Sequence, residues 1–311
     1  MPSRARVSRR IFLSRLALKT VAAAWPFTAH AEESEKMITR PIPGSGQHLP
    51  VIGMGSHITF NVGRDRVARL QRTEVLRTFF DMGGQMVDSS PMYGSPEEVL
   101  GFCIEQLGRT AGPLFSATKV WTRGKQAGLD EIAASHALWG VQHFKLNQLH
   151  NLVDWRTQLD TLLQIKADGR LQYVGITTSL GRRHGDLEQF MRSQPIDFVQ
   201  LSYKVDNRSV EERLLPLARD RGIAVIVNRP FMKGRLLDRY QHQALPPFAA
   251  EFDCENWAQF FLKFVVSHPS LTCAIPATAR VDHMWENMGA CYGRLPTPQQ
   301  RKQMLGYIQS L

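Results

Sequence analysis

An aspartate and a tyrosine stand five residues apart in Met86-Val87-Asp88-Ser89-Ser90-Pro91-Met92-Tyr93-Gly94. Met86 and Val87 read as the end of a buried strand, and Ser89, Ser90, Pro91 and Gly94 are turn chemistry. A phenol is a poor acid at neutral pH, its free pKa being about 10. A neighbouring cation makes it a better proton donor. Lys119, closing Phe115-Ser116-Ala117-Thr118-Lys119, could be that cation, and His150, closing Leu146-Asn147-Gln148-Leu149-His150, a further acid–base group. The set suits reduction of a carbonyl, in which hydride arrives at carbon and the oxygen takes up a proton. Tyr93 is expected to donate that proton, and Lys119 to lower the phenol's pKa and stabilise the tyrosinate. Asp88 is expected to keep the ammonium charged and fixed. His150 is expected to hydrogen-bond the carbonyl oxygen and assist proton transfer. Trp121, just past the lysine, is expected to line the substrate pocket. Any one of these residues has an ordinary structural explanation; all of them at successive strand ends do not.

The surrounding sequence must place those ends side by side, and its rhythm predicts how. Met37–Arg40 and Gln47–Val51 flank Pro43-Gly44-Ser45-Gly46, the pattern of a short hairpin. Short apolar runs then alternate with amphipathic stretches. Strands are predicted at 51–56, 85–88, 114–119, 146–150, 173–177, 198–201, 223–227 and 272–275. Helices are predicted at 69–82, 96–107, 129–139, 155–167, 187–193, 210–221, about 257–267 and 281–288, with a last one at about 296–310. The strands are uniformly apolar rather than alternating, as when both faces are buried. Eight strand–helix units over about 250 residues predict an α/β fold, a (β/α)8 TIM barrel with a short N-terminal β-hairpin. A doubly wound open sheet competes, but no Gly-x-Gly-x-x-Gly opens a helix.

Residues 1–31 differ from the rest. They hold Arg4, Arg6, Arg9, Arg10, Arg15 and Lys19 and no acid. Ser8-Arg9-Arg10-Ile11-Phe12-Leu13 is a twin-arginine pattern, followed by an apolar run and Ala29-His30-Ala31, a small-x-small cleavage site. Residues 1–31 are therefore expected to be a twin-arginine export signal engaging that export machinery, and 32–311 a single periplasmic barrel domain. Arg15 and Lys19 interrupt the apolar run well short of the roughly 20 residues a membrane span needs, so stable membrane insertion is not expected. Losing the signal takes six of the ten net positive charges, leaving +4. No basic run or basic-aromatic stripe remains to suggest nucleic-acid binding. Cys103, Cys254, Cys273 and Cys291 are scattered without metal or redox spacing, so no metal site is expected. One bridge is conceivable in an oxidising compartment, and buried free thiols are the simpler expectation.

From about Ile38 to Met288 the chain resembles the aldo-keto reductases. The resemblance is carried by the Asp-x-x-x-x-Tyr-Gly loop, the Thr-Lys-x-Trp and Gln-Leu-His strand ends, and an Ile-Pro-x-Thr turn before Glu286-Asn287. It implies a (β/α)8 barrel, NADP(H) bound in extended form, and a catalytic tetrad falling on Asp88, Tyr93, Lys119 and His150. It further implies nicotinamide contacts from Gln200, Thr177 and Thr178, with Tyr203 stacking on the ring. Arg229, Phe231, Lys233 and Gly234 would lie over the pyrophosphate, and Thr278, Arg280, His283, Glu286 and Asn287 at the adenosine end. Many relatives place a lysine where Ala277 stands and an arginine where His283 stands. A 2′-phosphate needs cationic partners, so NAD(H) is kept beside NADP(H). Selectivity for a small carbonyl substrate is expected from the loops near Trp121, Ser56–Val62 and Phe231. The family is commonly monomeric. The competing function is a nucleotide-carrying binding or sensor module with little or no turnover.

Overall fold

The computed structural model describes residues 36–108, 112–181 and 183–311; the export signal expected at 1–31 lies outside them. Its first element is the hairpin of β1 (Thr39–Pro41) and β2 (His48–Pro50), paired antiparallel with Thr39 opposite Pro50. Eight parallel strands follow: β3 (Met54–Gly55), β4 (Met86–Asp88), β5 (Phe115–Val120), β6 (Leu146–His150), β7 (Tyr173–Thr177), β8 (Phe198–Ser202), β9 (Ala224–Asn228) and β10 (Cys273–Ala274). They lie in sequence order from β3 to β10. The ring closes where Gly53 N–H donates to the Ala274 carbonyl (2.8 Å) and Ala274 N–H donates to that of Val51 (2.8 Å). This is the (β/α)8 barrel with an N-terminal hairpin that the apolar rhythm predicts.

Closure depends on glycine at the seam. A Cβ on Gly55 would lie 2.9 Å from the Ile275 carbonyl oxygen, so a side chain there would push β3 off its neighbour. Inside the barrel, Met86, Phe115, Leu146, Tyr173, Phe198, Ile226 and Cys273 pack into one buried cluster together with Ile42 and Leu49. Ile42 and Leu49 belong to the hairpin segment, which thus plugs the N-terminal end and leaves the other mouth for function. A second, larger apolar cluster fills the space between the strands and the helices.

Several element ends differ from the sequence-based prediction, for local reasons. The first helix among the described residues runs Arg66–Asp81 because Asp65 caps it, its Oδ1 accepting from Val67 N–H (2.9 Å) and Ala68 N–H (3.0 Å). Such a cap contributes about 1 kcal/mol, and the apolar period says nothing of it. The helix expected at 210–221 splits into a 3₁₀ turn, Ser209–Glu211, and a helix, Leu214–Asp220. Pro216 explains the split: it lacks an N–H and is tolerated only in a helix's first turn. A short helix, Arg235–Tyr240, was not anticipated. All four cysteines are buried and free.

Candidate active site

The polar strand ends converge at the open mouth. Lys119, on β5, has a side chain 0% exposed, and its Nζ lies 2.6 Å from Asp88 Oδ2. The same ammonium donates to the Ser89 carbonyl at 2.7 Å and lies 5.3 Å from the centre of the Tyr93 ring. Asp88 Oδ1 accepts from Gln148 Nε2 (3.0 Å) and Gln200 Nε2 (2.9 Å), so neither carboxylate oxygen lacks a donor. Tyr93 is placed by the turn after β4, where Ser90 Oγ caps Met92 N–H and Gly94 takes φ +95°, a conformation that favours glycine.

Electrostatics follow from burial and pairing. Burial disfavours the Lys119 ammonium, but Asp88 and Tyr93 outweigh it and hold its pKa above the ordinary value. The Tyr93 phenol does not become more acidic, contrary to expectation. Burial, the largest influence, pushes its pKa up, and Lys119 draws it down without overcoming that. Lys119 therefore limits the rise in the phenol's pKa rather than reversing it. His150 is pushed down to about 3, first by burial, then by Lys119 and His57. It is a neutral imidazole at physiological pH, not the proton source that a charged histidine would be. Ser90 Oγ sits 2.8 Å from His150 Nδ1. That oxygen also accepts the Met92 N–H (3.3 Å), and when its own hydrogen points to Nδ1 the histidine proton stands on Nε2.

Asp88, Tyr93, His150, Thr177 and Gln200 line one cavity of about 740 Å3. Arg229, Phe231, Lys233 and Gly234 line it from the loop after β9, and Thr278, Arg280, His283, Glu286 and Asn287 from the segment after β10. That volume suits a small-molecule ligand. The loop after β9 is held in an unusual shape: Arg229, Met232 and Lys233 all have positive φ, at 55°, 51° and 61°. Left-handed backbone is costly for non-glycine residues and collects at functional sites. Here it turns two cations toward a cavity suited to an anion.

Three residues stand elsewhere than expected. Tyr203 is wholly buried, its ring stacked 6.3 Å from Phe264 and its hydroxyl bonded to Arg301 (2.7 Å) and Glu211. It is not among the residues lining the cavity, being held by Phe264 and by Arg301 of the C-terminal helix Pro298–Ser310. Thr178 is buried outside the cavity lining, its carbonyl accepting from Asn228 Nδ2 (3.0 Å). Trp121 is 43% exposed and also outside that lining. Gln200 is at the cavity but heavily committed. It donates to Asp88 and accepts from Thr177 Oγ1 (2.9 Å) and Asn228 Nδ2 (3.3 Å), so one N–H remains. At the adenosine end, Arg280 donates through Nε to Asp282 Oδ1 (3.0 Å) and through Nη2 to Oδ2, so its charge is already countered.

Sequence reasoning passed over Ser90, Gln148 and Asn228, and it named the Ser56–Val62 loop without singling out His57. Gln148 lies within the Gln-Leu-His strand end and Asn228 ends β9, so the strand-end rule could have found both. His57 follows β3 by two residues.

A parallel barrel whose C-terminal mouth gathers a buried ion pair, a phenol and a neutral imidazole has the form of a barrel enzyme. Residues 51–303 match the model of the aldo/keto reductase family, and the chain belongs to that family. It is 25% identical over 244 residues to the methylglyoxal reductase YeaE of Escherichia coli, covering 77% of this chain and 84% of that one. It is 24% identical over 196 residues to an NADH-specific methylglyoxal reductase of the same organism, covering 53% and 57%. A crystal structure of a Klebsiella pneumoniae aldo/keto reductase in complex with NADP and acetate superposes with a TM-score of 0.71 at 24% identity, over 84% of this chain and 92% of that one. An aldo-keto reductase from Bacillus halodurans superposes at 0.70 and 19% identity, over 88% and 96%. These two likenesses are of fold.

Proposed function

We propose that the protein is an NAD(P)H-dependent reductase of aldehydes and small ketones, with Tyr93 as the proton donor. The observation that carries this reading is the buried Asp88–Lys119 pair set behind Tyr93, with a neutral His150 beside it. A reduced nicotinamide, when bound, supplies the hydride. Tyr93 transfers its proton to the carbonyl oxygen, and the Lys119 ammonium stabilises the tyrosinate left behind. His150 Nε2–H orients that oxygen by hydrogen bonding. Gln200, through its remaining N–H, and Thr177 would hold the nicotinamide end. Arg229, Lys233 and Gly234 would hold the pyrophosphate, and Thr278, Glu286 and Asn287 the adenosine.

NADP(H) is the proposed cofactor with NAD(H) also accepted, since the Arg280–Asp282 pair and Ala277 leave little positive charge for a 2′-phosphate. The structural neighbour that holds NADP supports the first and the Escherichia coli relative named for NADH the second. The carbonyl panel includes methylglyoxal because two relatives are named for it. A binding module without turnover is not favoured, given the family.

The test is nicotinamide oxidation by purified protein with each cofactor and a panel of aldehydes and dicarbonyls, in wild type and Tyr93→Phe. Turnover should fall by about 10²- to 10⁴-fold in the variant. No turnover by wild type across the panel overturns the reading.

We also propose export by the twin-arginine route, which Ser8–Leu13 and Ala29–Ala31 support. Among the described residues no helix is long and apolar enough to cross a membrane. The expected mature protein is a monomer beginning at Glu32, recovered from the periplasm. N-terminal sequencing and gel filtration check this, and Arg9→Lys with Arg10→Lys should retain the precursor in the cytoplasm.

A further inference from the structure

His57 is unexplained by the reaction so far. It follows Gly55 and Ser56 in the loop after β3, and it lines the cavity that Tyr93 and His150 share. Its ring centre lies 4.7 Å from that of Tyr93, and the His150 ring lies 5.8 Å from the same phenol. Among the described residues no hydrogen bond engages either His57 nitrogen, whereas His150 Nδ1 is committed to Ser90.

The loop that carries His57 is firmly held. Ser56 N–H and Oγ–H both donate to the Asp88 carbonyl, at 3.1 and 2.9 Å. Arg72 Nε donates to the Thr59 carbonyl (2.6 Å), and Phe60 is fully buried beneath the loop. The next residue, Ile58, is β-branched at φ +69° and 53% exposed, so burial of its own side chain does little to offset a strained backbone. Strain kept beside a cavity points to a positional requirement, and what this turn positions is the imidazole against Tyr93. Burial, then Lys233, Arg229 and Lys119, pull the His57 pKa below its ordinary value. At neutral pH it is therefore an uncharged ring with one donor and one acceptor.

Reduction of a lone carbonyl needs hydrogen-bonding groups at one oxygen, and Tyr93 and His150 supply them. A second imidazole beside the same phenol, with neither nitrogen engaged, suits a second oxygen. We infer that His57 recognises the second oxygen of a vicinal dicarbonyl, which makes 2-oxoaldehydes the favoured substrate class of this site. The inference rests on the carbonyl-reductase reading above and deepens it. Oxygens on adjacent carbons lie about 3 Å apart, close enough for two imidazoles that both neighbour one phenol to hold both. An uncharged donor suits a neutral ketone oxygen; a carboxylate would be drawn to Arg229 and Lys233 instead. In the reaction the aldehyde carbon gains hydride from the reduced nicotinamide, which is oxidised. Its oxygen gains the Tyr93 proton, and the ketone held by His57 passes unchanged into a hydroxyketone.

The test compares kcat/KM for methylglyoxal with kcat/KM for propanal at saturating cofactor, in wild type, His57→Phe and His57→Gln. Phenylalanine keeps a ring against Tyr93 and removes both nitrogens; glutamine keeps a donor. The methylglyoxal-to-propanal ratio should fall about tenfold in His57→Phe, chiefly through KM, as loss of one hydrogen bond implies. His57→Gln should recover the ratio to within about threefold of wild type. A ratio in His57→Phe within about twofold of wild type overturns the inference, even if both activities fall. No turnover of either carbonyl by wild type is a different result, which overturns the reductase reading and the inference with it.

Discussion

Lys119 Nζ and Asp88 Oδ2 lie 2.6 Å apart with side chains 0% and 3% exposed, a buried ion pair at the floor of the cavity that Asp88 lines. Two glutamine side chains, the Ser89 carbonyl and the Tyr93 side chain are its further hydrogen-bond partners. Lys119→Met should abolish reduction and should also destabilise the fold by about 3–5 kcal/mol, because Asp88 is left as an uncompensated buried charge. Adding Asp88→Asn should recover part of that stability and none of the activity. Urea denaturation of the single and double variants checks the first claim, and turnover the second.

Ser90 Oγ is the hydrogen-bond partner of His150 Nδ1 and favours the tautomer with its proton on Nε2 when the hydroxyl donates. Ser90→Ala removes the group 2.8 Å from Nδ1 and lets the proton move there, at the expense of the Nε2–H donor. Carbonyl reduction should drop about 10- to 100-fold while the Kd for nicotinamide nucleotide stays within about twofold. Steady-state kinetics with equilibrium fluorescence titration separate the two.

The pH profile follows from two directions of shift. Reduction needs a protonated Tyr93, whose pKa lies above the ordinary phenol value, so kcat should stay level to about pH 9 and fall only above 10. Oxidation of the product alcohol needs the tyrosinate and should rise over the same range. His150, pushed down to about 3, should add no inflection between pH 5 and 8. Below pH 6.5 the unfolded chain protonates this histidine and the folded one does not. His150 therefore costs stability as pH falls from 6.5 toward 3 and none above it. Kinetics and denaturant midpoints across pH check both statements.

Tyr203→Phe separates a cofactor contact from a structural one. The hydroxyl bridges Arg301 and Glu211 away from the cavity, so its loss should cost about 1–2 kcal/mol of stability. Nucleotide Kd and kcat should remain within about twofold. A large loss of nucleotide affinity would return the ring to the cofactor.

At the adenosine end, Ala277→Lys should tighten NADPH binding about tenfold relative to NADH by supplying the cation that Arg280, tied to Asp282, does not. Comparison of the two Kd values in wild type and variant is the measure. An unchanged ratio would place the 2′-phosphate elsewhere.

The barrel, and the convergence of four polar strand-end groups at its mouth, were legible in the sequence. Short apolar runs separated by amphipathic stretches leave few ways to bury both strand faces, and parallel barrels present strand ends at one mouth. That is enough to bring Asp88, Tyr93, Lys119 and His150 together. Local pattern could not decide what depends on distant partners. Tyr203 was drawn to Arg301, 98 positions along the chain, not to the cavity. Gln200 was claimed by Asp88, 112 positions away. The balance that leaves Tyr93 less acidic, and His150 neutral, arises from burial, which only the packed molecule possesses. So does the placement of His57, whose ring meets Tyr93 because a turn at Ile58 and its anchors to Asp88 and Arg72 fix a loop that no periodicity describes.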